Sequence, residues 1–221
     1  MGSEVALLLA RSGVGRLDLI DHDVLRPANL SRHAATGREI GLSKPEAMAK
    51  VLRDTLPRVK VTAISRNLWR PDEIERLVTR NDLIIDATGN QAYRDLLSRL
   101  AAAGGKPMVA AALHRRGDIA RVHVQIGVDA PIWARGPATG FEVIQRDPGA
   151  PPILSFETGC GSPVNNAPPV AVMSAAAAAS RVAIDVLAGR ERREVDIVDV
   201  FAPIEQPAFN KIGQLVFEAT P

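Results

Sequence analysis

The sequence predicts an α/β fold: a Rossmann-like, twisted, mainly parallel sheet with helices on both faces and antiparallel strands toward its end. Three observations carry that reading. Helix-then-strand units repeat along the first half of the chain, which argues for parallel strands joined by crossover helices. The strand Asp82–Asp86 is short and apolar, as buried parallel strands are. After Gly117 the pattern turns to polar alternation, the mark of a half-solvated antiparallel strand.

The elements follow in order. Residues 3–12 have helical periodicity and stop at Gly13, and residues 16–21 alternate as a strand that ends in an acid. A second helix spans 44–56, with Pro45 in its first turn, and a strand follows over 59–65. A third helix covers 71–80 and leads to the strand 82–86. A fourth helix, 91–103, is stopped by Gly104-Gly105 ahead of the buried strand 106–112. The strand 119–126 comes next. Residues 129–166, rich in proline and glycine, lack periodicity, and a loop of that length is more often functional than idle. The alanine-rich helix 170–188 and strands at 194–200 and 213–218 complete the chain, read as a single domain over 1–221. Sheets of this kind open with a strand and a glycine-rich turn. Here the first element is a helix, and only Gly2 stands where the last glycine of such a turn is expected. A late start, a fragment, or a strand supplied by another segment would each account for that.

Composition narrows the chemistry. A net charge of +2, with 27 basic and 25 acidic residues intermixed, gives no bulk attraction for nucleic acid. The single cysteine, Cys160, excludes an internal disulfide framework and a four-cysteine zinc site, and implies a reducing, cytoplasmic setting. The N-terminus lacks a basic stub and apolar core, so no secretory signal is expected. The apolar stretch 168–187 carries Arg181 and Asp185 and reads as a core helix and not a membrane span.

Asp21 closes the first strand, about 20 residues beyond the expected glycine turn, where an acid receives the vicinal hydroxyls of a ribose. The run Asp21-His22-Asp23-Val24-Leu25-Arg26-Pro27-Ala28-Asn29-Leu30-Ser31-Arg32 follows, and then Gly41-Leu42-Ser43-Lys44. Together with the flanking helix and the later Asp86-Ala87-Thr88-Gly89-Asn90, this ordered set resembles the ThiF/MoeB/E1 family of adenylating enzymes over nearly all of residues 1–126. The resemblance implies ATP-dependent activation, with Mg²⁺, of the C-terminal carboxylate of a ubiquitin-like or sulfur-carrier protein ending in Gly-Gly. It implies that Asp21 and Asp23 lie at the ribose side, that Asn29, Arg32 and Lys44 line the triphosphate, and that Gly2 starts a helix aimed at phosphate. Asp86 and Asn90 are placed at the nucleotide and Asp86 at the metal, although Gly89 stands where the family carries a second, metal-binding aspartate. Cys160, between glycines, is implied as the acceptor of a thioester. A homodimer is implied too. These residue types suit the reaction: the carboxylate nucleophile is already ionised, so the site needs cations and fixed donors around the phosphoryl oxygens more than a base.

Two other readings remain open. A nicotinamide oxidoreductase shares the ribose acid and the glycine turn but leaves Asn29, Arg32 and Lys44 without a role. A non-catalytic partner subunit of the same family accords with Gly89. His114 and His123 lack the spacing of a metal site and read as ordinary strand or loop residues.

Overall fold

The computed structural model describes residues 1–145, 167–191 and 193–220. They fall into two compact units, Met1–Leu68 and the residues from Trp69 onward.

In the first unit, helix α1 (Gly2–Arg11) leads to strand β1 (Arg16–Ile20), helix α2 (Lys44–Thr55) and strand β2 (Lys60–Ile64). The strands pair in parallel from Arg16 opposite Lys60 to Ile20 opposite Ile64. Parallel neighbours need a crossover, and α2 supplies it. Its start is fixed locally. Ser43 Oγ accepts the N–H of Glu46 at 3.3 Å, while Glu46 accepts the N–H of Ser43 at 3.4 Å. This reciprocal cap satisfies donors that the first turn of a helix cannot use. Ala6 and Ala10 of α1 and Ala47, Met48 and Leu52 of α2 pack with Leu25 and Ala35, and Leu17, Leu19 and Val61 of the strands close over them. Small residues on α1 facing larger ones on α2 let the two helices approach closely.

The second unit holds helix α3 (Pro71–Arg80), strand β3 (Ile84–Asp86), helix α4 (Gln91–Ala103) and strands β4 (Met108–His114) and β5 (Ile119–Gln125). Helix α5 (Pro169–Leu187) and strands β6 (Val195–Val200) and β7 (Gly213–Glu218) follow. The sheet order is β3-β4-β5-β6-β7. Only β3 and β4 are parallel, and the remaining pairs are antiparallel. The cause is the length of the connections. Arg115–Gly117 joins β4 to β5, too short a link for anything but a hairpin. Gly117 is required there. Its φ is +101°, and a Cβ would come within 2.9 Å of Ala171 Cβ on α5. Helix α5 packs on β4 and β5 through a face of small residues, Ala175, Ala176, Ala179 and Ala183, all fully buried. By length and composition it could cross a membrane. In this fold it is a core helix, as Arg181 and Asp185 lead one to expect.

The α/β class and the parallel order of β1–β2 and β3–β4 agree with the sequence reading. Where that reading gives one mainly parallel sheet, the described strands form two, with parallel pairing confined to those two pairs. Element ends agree to within a few residues.

One buried network has no counterpart in the sequence reading. Arg121 and His123 of β5 project with Asp196 of β6. Arg121 Nη2 donates to Asp196 Oδ2 at 2.5 Å and His123 Nδ1 lies 2.8 Å from Asp196 Oδ1. Arg135, from the segment after β5, also donates to Asp196, and to Glu194 at 3.0 Å. Arg121 reaches the carbonyl of Glu142 at 2.5 Å. Residues 131–145 are thereby strapped to the sheet, in short 3-10 turns at Ile132–Ala134 and Pro137–Thr139 where the sequence shows only loop. Burial pushes the Asp196 carboxyl up, but His123, Arg121 and Arg135 outweigh it and hold it well below the usual carboxylate range.

Candidate functional site

The site builds outward from the end of β1. Asp21 continues the strand by one bond, donating its N–H to the carbonyl of Ile64 at 3.3 Å. Its Oδ1 then accepts the N–H of Asp23 at 2.9 Å, and that side-chain turn swings the chain away from the sheet. Leu25 donates to the carbonyl of Leu42 at 2.8 Å, Gly41 to that of Leu25 at 3.0 Å and Lys44 to that of Asp23 at 2.8 Å. A bridge between Val24 and Ser43 lies within this ladder. The effect is to bring Lys44, first residue of α2, back over Asp21 and Asp23. Lys44 Nζ sits 2.6 Å from Asp23 Oδ2 and 4.0 Å from Asp21 Oδ2.

Between these two strokes, Pro27–Arg32 forms a 3-10 turn. Its proline pre-sets φ at the first position. Asn29 is buried, and its Oδ1 accepts the N–H of Arg26 at 3.0 Å. Arg32 closes the turn and is half-buried. The start of α1 belongs to the same neighbourhood. Burial lowers the proton affinity of the Met1 amino group, and Glu4, Arg32, Lys44 and Asp21 act on it in turn. Ser3 Oγ, in the first turn of α1, accepts the N–H of Ala34 at 3.2 Å. Gly2 opens that helix and is exposed.

The structure thus brings together Gly2, Asp21, Asp23, Arg32 and Lys44 around the start of α1 and the end of β1. Asn29 lies in the same segment, with its carbonyl oxygen spent on the backbone. Asp86 and Asn90 belong to the second unit. Asp86 is buried, and its Oδ1 accepts the N–H of Thr88 at 2.9 Å. Burial raises its pKa above the ordinary carboxylate value, against the Thr88 hydrogen bonds and Arg94. Asn90 caps α4, accepting the N–H of Tyr93 at 3.1 Å. Gly89 takes a left-handed conformation, φ +68°, in the turn between them. Cys160 lies outside the described residues.

Two groups implied by the resemblance can be tested against these side chains. A nucleotide fits: a partly exposed carboxylate at a strand end stands 4.0 Å from an ammonium, with the guanidinium of Arg32 and the positive end of a helix in the same unit. A divalent cation fits less well. Among the described residues, Asp21, His22 and Asp23 are the group whose ligand atoms lie within 4.8 Å of one another. Lys44 already neutralises Asp23, and a hard cation needs several oxygens not claimed by an ammonium. Asp86, buried and shifted toward its protonated form, is in no such group.

Sequence reasoning missed His33. It follows the Pro27–Arg32 turn, and its Nδ1 accepts the N–H of Ala35 at 3.1 Å. Burial first, then Lys44 and the chain's amino end, lower its pKa to about 4. Its place directly after Arg32 was the available signal. His114 and His123 are strand residues, as expected. Each has a buried Nε2 with no hydrogen-bond partner among the described residues.

The sequence model of the ThiF family matches residues 1–131, which take in Met1–Leu68 of the first unit and the second unit as far as the strap. "Adenylyltransferase and sulfurtransferase MOCS3" of Xenopus laevis is 34% identical over 116 residues, 52% of this chain and 26% of that protein. "Adenylyltransferase and sulfurtransferase uba4" of Emericella nidulans is 29% identical over 216 residues, 96% of this chain and 43% of that protein. The chain therefore spans less than half the length of either relative. Among solved structures, E. coli MccB in complex with MccA has the same fold, with TM-score 0.72 and 17% identity over 100% of this chain and 61% of that one. MccB solved with ATP gives TM-score 0.69 and 16% identity, covering 98% of this chain and 60% of that one.

Proposed function

We propose that this chain, which belongs to the ThiF family, binds ATP at the Asp21–Lys44 cluster and adenylates the C-terminal carboxylate of a ubiquitin-like or sulfur-carrier protein. The single observation that carries the proposal is the convergence of Lys44 on Asp21 and Asp23, beside Arg32 and the start of α1. The names of the MOCS3 and uba4 relatives, adenylyltransferases and sulfurtransferases, support the chemistry. That MccB was solved both with ATP and with MccA supports a fold that takes a nucleotide and a second substrate.

ATP supplies the adenylyl group: a carboxylate oxygen of the carrier bonds to the α-phosphorus, the α–β phosphoanhydride bond breaks, and pyrophosphate leaves from the acyl-adenylate. Everything else falls to the chain. Asp21 accepts the ribose hydroxyls, for which its partly exposed, acceptor-only carboxylate is suited. Lys44 is held by Asp23 and so needs little reordering to meet a phosphoryl oxygen, which adds to preorganisation. Arg32 presents a planar fork of N–H donors to the same oxygens. Charge developing on the phosphoryl oxygens meets two cations and a helix N-terminus already in place. Mg²⁺ in this reading travels on the nucleotide's own phosphates, as this ion often does, and no step is assigned to it. Cys160 as thioester acceptor, a Gly-Gly end on the carrier, a homodimer and a cytoplasmic location complete the proposal.

The test is isotope exchange between ATP and pyrophosphate in the presence of a Gly-Gly-ended carrier. Exchange should require the carrier's intact C-terminus and should fall on the order of a hundredfold in Lys44→Ala, the scale of one charge-assisted hydrogen bond lost from a preorganised site. Absence of exchange with ATP bound would favour the second reading, a nucleotide-binding but non-catalytic subunit. That reading is motivated by Gly89 and by the burial that raises the pKa of Asp86.

A further inference from the structure

The turn that joins β4 to β5 is held in a conformation that its residues resist. Asp118 donates its N–H to the carbonyl of Arg115 at 3.1 Å, which closes a four-residue turn over Arg116 and Gly117. Arg116 has φ +58° and ψ 22° and Gly117 has φ +101°, the left-handed pair of a type I′ hairpin turn. Arg115, at φ +51°, is left-handed as well. Asn, Asp and Gly suit the first central position of such a turn. Gly has no Cβ to crowd the following carbonyl, and Asn or Asp bonds locally in compensation. Arginine does neither. For Arg115 the fold supplies a reason: its Nε donates to the carbonyl of Gln145 at 2.8 Å and ties the end of the strap to the hairpin. Arg116 is exposed and makes no hydrogen bond or ion pair among the described residues. Backbone strain kept without a fold contact to account for it points to a task outside the fold.

The groups packed on this turn leave apolar side chains in solvent. Gly117 lies against the first turn of α5, where a Cβ would come within 2.9 Å of Ala171 Cβ and 3.1 Å of Pro168 Cδ. Val170, in that same turn, is 70% exposed, and Met173, within one further turn, is 48% exposed. Phe201 is bound to the hairpin as well: its N–H donates to the carbonyl of Asp118 at 2.8 Å, and it is 40% exposed. A free guanidinium with exposed aromatic, methionine and aliphatic neighbours has the composition of a protein-contact patch. We propose that this turn docks the carrier protein, and that Arg116 takes a surface carboxylate of that protein. The inference rests on the carrier reading above. A guanidinium meets a carboxylate in two parallel hydrogen bonds, and apolar neighbours that exclude water strengthen such an anchor. A nucleic acid needs a field of many cations, whereas the charges of this chain are evenly mixed. The turn also leaves β4 at the C-terminal end of the parallel β3–β4 pair, the end at which open α/β sheets take their ligands.

Carrier affinity and chain stability, measured on the same variants, test this. The probe is a fluorophore-labelled carrier, the tightest binder of the wild-type chain among a set of purified ubiquitin-like and sulfur-carrier proteins ending in Gly-Gly. Arg116→Asn supplies the Asn-Gly pair that the turn favours, so its urea midpoint should equal or exceed that of wild type. Its carrier Kd should nevertheless rise about tenfold, the scale of one bidentate ion pair lost among apolar neighbours, with ATP affinity unchanged. Arg116→Glu should bind the carrier more weakly still. One Asp→Lys or Glu→Lys change on the carrier's surface should restore binding to that variant, a coupling that a merely structural residue does not show. A lowered midpoint in Arg116→Asn, an unchanged carrier Kd in both variants, or the lack of any rescuing change overturns the docking role. Two further results overturn it if carrier affinity stays intact in Arg116→Glu. Loss of self-association by light scattering assigns the patch to a second copy of the chain, and loss of binding to phosphatidylserine vesicles assigns it to a membrane. If wild-type exchange requires the carrier while the Arg116 variants bind it normally, the docking role falls and the adenylation reading stands. If no carrier in the set binds the wild type or supports exchange, both fall.

Discussion

At the scale of single residues, the same side chains answer to binding and to folding, and the structure divides them. Asn29 is a folding residue first: its Oδ1 takes the Arg26 N–H from a buried position. Asn29→Ala should therefore cost about 1–2 kcal/mol of stability, the usual loss of a buried cap, readable as a lowered urea midpoint at unchanged slope. Lys44→Ala should behave the other way. It removes a cation that is paired and partly buried but outside the apolar core, so stability should change by no more than about 1 kcal/mol while nucleotide affinity drops. A Lys44→Ala chain that is substantially unfolded would contradict that assignment. Gly89 admits a direct trial of the family's missing acid. A Cβ built there meets nothing within 4 Å, so the cost of Gly89→Asp comes from the left-handed backbone alone, on the order of 1 kcal/mol. If a carboxylate at this position supports catalysis, exchange should rise in that variant despite the strain. An unchanged exchange rate would show that Gly89 does not limit the reaction.

At the scale of elements, the strap over residues 131–145 depends on charges that are costly to bury alone. Arg135 binds Asp196, Glu194 and the carbonyl of Val195 at once. Removing it leaves Asp196, fully buried, with less compensation. Arg135→Ala should destabilise by about 3–5 kcal/mol and expose the segment to proteolysis before the rest of the chain unfolds. Simultaneous cleavage everywhere would mean that the strap is not a separate unit of stability. The β4–β5 hairpin offers a backbone counterpart. Gly117→Ala forces a positive φ on an alanine and drives its Cβ to 2.9 Å from Ala171 Cβ and 3.1 Å from Ala167 Cβ. Thermal unfolding should fall by several degrees, because α5 cannot settle on the sheet without shifting.

At the scale of the whole molecule, the histidines set the response to acid. His33 and His114 have pKa values lowered to about 4 in the folded chain, in each case first by burial. In the unfolded chain they titrate near the ordinary value of about 6.5. As pH falls from about 6.5 toward 4 the unfolded state binds more protons, so stability is full above that window and lost within it. Denaturant midpoints at about pH 7.5 and pH 5 should differ accordingly, by on the order of 2 kcal/mol per buried histidine after solvent screening. His114→Phe should flatten that dependence, since it removes one of the buried groups that take up a proton on unfolding, and its Nε2 has no partner among the described residues. An unchanged slope would mean that His114 is not the group that titrates. The same scale separates what was legible in the sequence from what was not. Helix and strand order, the end of β1 at Asp21, and the ordered set Asp21, Asn29, Arg32 and Lys44 were all readable, because periodicity and short motifs are local properties of the chain. Three features were decided only in three dimensions. Lys44 lies on Asp23 because the segments 23–25 and 41–44 pair, a contact across about twenty residues that no local pattern encodes. Arg121, His123 and Asp196 compensate one another because the register of β5 on β6 sets His123 opposite Asp196 with Arg121 on the same face, and a shift by one residue would break that alignment. His33 is neutral because folding buries it beside cations, and a proton equilibrium depends on what surrounds a ring in space, not on its neighbours in sequence.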